Sequence, residues 1–224
     1  MIRVTVWCDG SDDLKHPEIA KMYPGGIAQY TADYLREDVD LSVRVSHFQD
    51  ADCGLSDLLL KGTDVLVMYS HFLNDQMPAD RIEAVCRRVN VDGLGIVALH
   101  SALWNGIIQK LVGNCKYEGY REIGETERVW NVAQEHPIGK GIPASFTLEH
   151  SEMYREPAGF PRPHDVLFLS WYEGGEASRS GLTWVRGEGK IFYFSPGHAT
   201  YTTMLSPHYH QIVKNGVHWV YRGI

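Results

Sequence analysis

The sequence predicts an α/β protein with a flavodoxin-like, doubly wound, mostly parallel sheet, helices on both faces and extra strands in its second half. Three observations predict it. The first half alternates strand-like and helix-like patterns. Residues 64–69 and 94–99 are nearly continuous apolar runs, as expected for strands buried on both faces of a parallel sheet. Three apolar strands also run straight into a histidine: one into Ser70-His71, one into His100, and one into Ser195-Pro196-Gly197-His198. In open α/β sheets, function collects beyond the carboxyl ends of the strands, where the loops converge over a crevice.

Taken in order, residues 2–7 form a first strand, followed by a polar loop over residues 9–24. A helix then opens at Gly25-Gly26, because Ile27, Tyr30, Tyr34 and Leu35 recur at helical spacing. Residues 41–45 alternate apolar and polar, which suits a strand nearer the sheet edge. Residues 55–60 form a short helix stopped at Gly62. After the strand at 64–69, Pro78 opens a helix carrying Ile82, Val85, Cys86 and Val89, and Gly93 ends it. The strand leading to His100 follows, then a helix from Ala102 to Leu111. In the second half, residues 120–132 read as two strands joined at Gly124, and residues 146–149 as another. Pro157, Pro161 and Pro163 mark an irregular loop. Strands at 166–171, 181–185 and 190–194 follow, the last two joined by the hairpin turn Arg186-Gly187-Glu188-Gly189. Residues 207–221 form a closing amphipathic helix. No repeat, linker or low-complexity tract interrupts residues 1–224, so a single domain is expected.

The bulk numbers exclude several classes. The chain has 224 residues, with 44% hydrophobic and 22% charged residues, the balance of an ordinary globular protein. A net charge of −7, without a Lys/Arg cluster, argues against nucleic acid or an anionic membrane as partner. The four cysteines, Cys8, Cys53, Cys86 and Cys115, form no CxxC pair, so neither a zinc ribbon nor a disulfide framework is expected. No signal-peptide pattern and no apolar run of membrane-spanning length are present, and the chain reads as cytoplasmic. No Walker motif or GxGxxG follows the first strand, so no nucleotide cofactor is expected. A small-molecule substrate is the expected partner, and a homo-oligomer is compatible with the composition.

Several motifs resemble one family in order and spacing. They are Val97-Ala98-Leu99-His100-Ser101-Ala102, Glu135-His136-Pro137-Ile138 with Gly141-Ile142, Glu152-Met153-Tyr154, and the run from Gly187 to His198. Together they resemble the ThuA-like (trehalose utilisation) family, itself similar in fold to class I glutamine amidotransferases, over nearly the whole chain. In those amidotransferases a nucleophilic Cys stands at the turn after the strand equivalent to residues 95–99. Here His100-Ser101 occupies that turn, so the resemblance implies that thiolate-driven glutamine hydrolysis is absent. It also implies a substrate class, disaccharides and notably trehalose, often handled alongside a sugar-oxidising dehydrogenase. Fold similarity implies no reaction by itself.

His71, His100 and His198 are therefore expected to converge above the sheet, with Glu152 brought over by the second half. Three imidazoles and a carboxylate suit a divalent cation such as zinc or manganese. The same four residues equally suit metal-free proton transfer, since histidine titrates near neutrality and a carboxylate can orient it. The competing reading is that each histidine hydrogen-bonds locally and serves only structure. His208 and His210 form an HxH pair, but on a helix they point to different faces and read as solvated. Ser101 is a substrate-binding candidate or a helix-start cap; the GxSxG elbow of serine hydrolases is absent. Asp9, just past the first strand, would hold a sugar hydroxyl or cap a loop. Tyr154 and Tyr201, with Trp7, Trp104 and Trp171, are candidate faces for a sugar ring, against the plainer alternative of core aromatics. Glu173 would reach the site or face water, and Arg179 would clamp a substrate oxygen or pair with a carboxylate. These residues point to a sugar-catabolic enzyme, an isomerase, lyase or hydrolase acting by proton transfer or cleavage on a disaccharide or keto-sugar. The alternative is a non-catalytic sugar-binding or regulatory module on an amidotransferase-like scaffold.

Overall fold

The computed structural model describes every residue except Ser11, Leu14, Lys15 and Ile224. The first half contains β1 (Ile2–Cys8), a single helical turn α1 (Ile19–Met22), α2 (Gly26–Arg36), β2 (Leu41–His47), α3 (Asp57–Lys61), β3 (Val65–Tyr69), α4 (Ala79–Asp92) and β4 (Gly95–Leu99). The second half contains α5 (Gly106–Val112), β5 (Tyr117–Asn131), β6 (Ser145–Ala158), β7 (Asp165–Tyr172), β8 (Ala177–Arg186), β9 (Gly189–Phe194) and α6 (Pro207–Val220).

The nine strands among the described residues belong to one sheet, in the order β2-β1-β3-β4-β9-β8-β7-β5-β6. The first five neighbours pair in parallel. This is the doubly wound arrangement, with β9 supplying its fifth strand. The remaining four extend the sheet by antiparallel pairing. β3 and β4 are buried along their whole length, which is why their sequences are apolar without alternation. On one face, Val97 and Leu99 of β4 pack with Ile27 and Leu35 of α2 and with Ile212, Val213 and Val217 of α6. On the other face, Ile96 and Ala98 pack with Val85 and Val89 of α4 and with Ile107 and Leu111 of α5. Gly95 is required where α6 ends against β4. A Cβ there would lie 2.7 Å from the Val220 carbonyl oxygen.

Three expectations are corrected. The helix expected from Ala102 to Leu111 is split into a 3₁₀ turn at His100–Trp104 and helix α5. Asn105 interposes a cap, its side chain accepting from the Ile107 N–H at 3.0 Å. Residues 120–131 are not two strands but part of the single strand β5, which ends before Val132 and pairs with β6 out of step between Arg121 and Glu125. Gly124, at φ +71°, forms the bend without breaking the strand. The strand expected at 146–149 runs on through Pro157, which sits inside β6 and not in the proline-rich loop. β6 is the far edge of the sheet, yet it packs back against β8, so the antiparallel extension curls over. That curl carries Glu152 and Tyr154 towards the tips of the parallel strands.

Candidate functional site

β3, β4 and β9 are sheet neighbours, so the three histidines that follow them arrive side by side. The His71 and His100 ring centroids are 6.0 Å apart, His71 and His198 are 5.1 Å apart, and His100 and His198 are 5.3 Å apart. His71 and His198 line a cleft of about 470 Å³ whose walls include Phe72, Trp104, Tyr120, Tyr154, Glu122 and Glu152, with His100 buried beside it. A larger cleft of about 640 Å³ opens at the opposite, amino end of the strands. Its charges pair with one another there (Arg3 with Asp64, Arg88 with Asp92, Arg222 with Glu188), whereas the histidine cleft gathers imidazoles and carboxylates.

His100 occupies the tight turn after β4 with a left-handed backbone, φ +52°. A non-glycine residue there costs about 1–2 kcal/mol, strain of the kind that collects at functional turns. Its ring is buried between Tyr69 (centroids 6.1 Å) and Tyr154 (5.3 Å), nearly parallel to both. Nδ1 lies 2.9 Å from the Ser195 carbonyl oxygen. Nε2 faces Glu152 Oε2 at 3.2 Å and the Tyr154 hydroxyl at 3.4 Å. Burial alone would raise the Glu152 carboxyl, but the His100 ring facing it and the nearby His198 outweigh burial and hold it below the usual value.

His71 is held differently. Its Nδ1 meets Asp12 Oδ1 at 2.9 Å, and Asp12 is buried. Burial disfavours the charged ring, yet the Asp12 hydrogen bond and charge prevail and raise the His71 pKa. His198 is the reverse: burial, reinforced by the His100 charge, pushes it down to about 4. At neutral pH His198 is therefore an uncharged imidazole. Its Nδ1 lies 2.8 Å from Thr200 Oγ1, and its Nε2 lies 3.7 Å from Glu122. His100, Glu152 and His198 offer ligand atoms all within 4.8 Å of one another, and His71 falls outside that group.

The remaining candidates separate cleanly. Asp9 is fully buried, and its Oδ2 accepts from the backbone N–H groups of His71 (2.7 Å) and Leu73 (3.1 Å) and from Ser70 Oγ (3.3 Å). It shapes the turn that presents His71. Ser101 does not cap the following turn, because its hydroxyl donates across to the Ser70 carbonyl at 2.8 Å and ties the β3 and β4 tips together. Tyr154 lines the cleft, and Tyr201 stands 5.4 Å from the His198 ring. Arg179 makes a two-pronged ion pair with Glu156 at 2.8 and 3.1 Å, with its guanidinium over Phe160, and does not line the cleft. Glu173 is exposed at the β7–β8 turn and accepts from the Thr126 N–H at 3.4 Å. Of the tryptophans, Trp104 lines the cleft, Trp7 is core and Trp171 is exposed on the outer sheet. His210 is not solvated as expected; it stacks on Tyr34 at 4.1 Å and reaches the Met204 carbonyl.

Sequence reasoning missed Asp12, Glu122, Tyr120, Phe72 and His16. Asp12 had a signal, since it lies just past β1 in the same stretch as Asp9. Glu122 and Tyr120 had none, because they reach the cleft only through the curl of β5. Glu127 was also missed. It is fully buried beneath the site, accepts from Ser151 Oγ (2.5 Å) and Tyr172 OH (3.2 Å), and burial raises its pKa.

The chain matches the ThuA family, described as trehalose utilisation, over residues 3–220. It belongs to that family. The family's description supports a role connected with sugar utilisation. Among solved structures, a ThuA-like protein from Parabacteroides merdae superposes with TM-score 0.72 at 14% identity, covering 99% of this chain and 90% of its own. A ThuA-like protein from Bacteroides uniformis gives TM-score 0.69 at 17% identity, covering 98% and 91%. A glutamine amidotransferase from Thermotoga maritima gives TM-score 0.57 at 12% identity, covering 99% of each. At such identities these structures establish the fold, which is the amidotransferase-like one. No curated protein matches the chain. In this ThuA-family protein no cysteine stands at the turn after β4. Burial pushes the Cys86 thiol up to about 11 and Cys115 up to about 12, far from a reactive thiolate. No helix among the described residues is long and apolar enough to cross a membrane.

Proposed function

We propose that this protein is a sugar-processing enzyme that moves a proton on a disaccharide or keto-sugar bound in the histidine cleft. The observation that carries the proposal is the His71–Asp12 pair at the cleft wall. A carboxylate on Nδ1 fixes the tautomer, presents Nε2 as the proton-accepting atom, and stabilises the imidazolium once it has accepted. Removing a proton from a carbon beside a ketone leaves an enolate, whose oxygen needs a donor or a positive charge close by. The His100–Glu152 pair stands across from His71 and is the group available for that work. Where that carbon bears a hydroxyl the enolate is an enediolate; passing the hydroxyl proton to the first oxygen and protonating the former carbonyl carbon isomerises the sugar. Expelling the glycosidic oxygen instead cleaves an oxidised disaccharide, with the proton returned to the leaving group. Phe72, Trp104 and Tyr120 supply flat apolar walls suited to the C–H faces of a sugar ring.

The test is solvent-proton exchange. Trehalose and its chemically oxidised keto derivatives are incubated with the protein in deuterium oxide and followed by NMR. The expected result is deuterium at the carbon beside the ketone, or cleavage, and its loss in His71→Asn. If the protein binds these sugars yet neither exchanges nor cleaves any of them, the non-catalytic sugar-binding module becomes the better reading.

A further inference from the structure

We infer that His100, Glu152 and His198 hold a divalent cation, with an open coordination position facing the cleft and His71 beside it as a non-ligand. This deepens the proton-transfer reading by naming the electrophile, but the binding argument rests on the three side chains alone.

The Ser195 carbonyl only accepts hydrogen bonds, so His100 Nδ1 at 2.9 Å must carry the hydrogen. Its Nε2 is then the position that a proton or a cation can occupy. Facing it at 3.2 Å is Glu152 Oε2, a buried oxygen with no aligned hydrogen-bond donor among the described residues. A nitrogen and an oxygen lone pair opposed in a dry pocket repel unless positive charge, a proton or a metal ion, lies between them. The Tyr154 hydroxyl, 3.4 Å from Nε2, is too distant to relieve this strongly. His198 adds a third donor, and the three ligand atoms all fall within 4.8 Å of one another. A tetrahedral site with bonds of about 2.0–2.1 Å has edges of roughly 3.3 Å. The His100–Glu152 edge already has that length, and the others close to it by small side-chain rotations.

The outer partners match a metal site. Ligating histidines donate their second ring N–H to an oxygen, which fixes the tautomer and raises ligand basicity. His100 does so to Ser195. For His198 the same tautomer requires Nδ1 to donate to Thr200 Oγ1 at 2.8 Å. The Thr200 N–H is the longer contact to the same nitrogen, at 3.3 Å, and the closer Oγ1 sets the tautomer with Nδ1 as donor. Two imidazoles and one carboxylate with a free position form a donor set suited to zinc, and also acceptable to manganese. His71 stays outside because its ring nitrogens do not join the three mutually close ligand atoms.

The experiment is metal analysis of protein purified without chelator, followed by calorimetric titration of EDTA-stripped protein with zinc and manganese chlorides. One equivalent per chain is expected, with a metal-dependent rise in melting temperature. Glu152→Gln and His198→Ala should each weaken binding by about 100-fold or more, whereas His71→Ala should keep its stoichiometry. Circular dichroism of the stripped variants separates lost ligation from lost folding, and Glu152→Asp, which keeps the carboxylate, should retain more affinity than Glu152→Gln. Stripped wild-type protein that binds neither ion, or ligand variants that bind like wild type, would overturn the inference. Deuterium exchange by fully metal-free protein would count against the cation while leaving proton transfer standing; stoichiometric metal without exchange would do the reverse.

Discussion

Acidifying the metal-free protein from about pH 8 to about pH 5 should cost roughly 2 kcal/mol of folding stability at one side chain, His198. Its folded pKa is pushed down to about 4, against an ordinary value of 6.5, because burial and the His100 charge oppose protonation. Between these two values the unfolded chain binds a proton that the folded chain refuses, so stability falls as the pH falls. At pH 5 about 97% of the unfolded-state imidazole is charged, but only about 10% of the folded-state one, and the ratio of the two binding polynomials gives roughly 2 kcal/mol. The full loss, once both states are protonated below pH 4, approaches about 3 kcal/mol. His71 works in the opposite direction. Its pKa is raised, so its contribution is complete below the ordinary histidine value and fades as the pH climbs through the folded one. Urea denaturation in EDTA, at several pH values, should be run on wild type and on His198→Asn. The variant should be the less pH-sensitive by the stated amount between pH 8 and 5. Parallel stability–pH curves for the two proteins would refute the reasoning, since the imidazole would then not be desolvated in the folded state.

Three further outcomes follow from the same geometry. Asp9→Asn should lower stability by about 2 kcal/mol and weaken sugar exchange, because three donors converge on its one buried oxygen; a melt and the deuterium assay read both. Gly54→Ala should destabilise by about 2 kcal/mol or more, since φ is +69° and the new Cβ would stand 2.2 Å from the His47 carbonyl oxygen; an unchanged denaturation midpoint would contradict this. Arg179→Ala should cost no more than about 1 kcal/mol and leave sugar turnover intact, as its partner is the half-buried Glu156 and not a substrate.

The parallel half of the fold was legible because its signals are local. Apolar runs at β3 and β4, Pro78 and Gly93 around α4, and turn glycines at Gly62 and Gly187 each act within a few residues of themselves. The antiparallel half was less so. Whether Gly124 ends a strand or only bends it depends on β6 pairing along both sides of the kink, and Pro157 is accommodated because β6 lies at the sheet edge. Polar side chains left their alternatives open where partners are distant in sequence. Arg179 resembles a substrate clamp until Glu156 is found beside it, and Ser101 resembles a cap until the Ser70 carbonyl comes within reach.

The sequence alone determined that β3, β4 and β9 end in histidines, and that the turn after β4 carries an imidazole where a related fold carries a thiol. Strand chemistry and chain position are enough for that. Tertiary structure decided what those histidines are for. Sheet order makes the three strands neighbours, the curl of β5 and β6 swings Glu152 onto His100, and the loop after β1 lays Asp12 on His71. These contacts join residues 52 and 59 positions apart, and only a closed fold brings such groups within bonding distance.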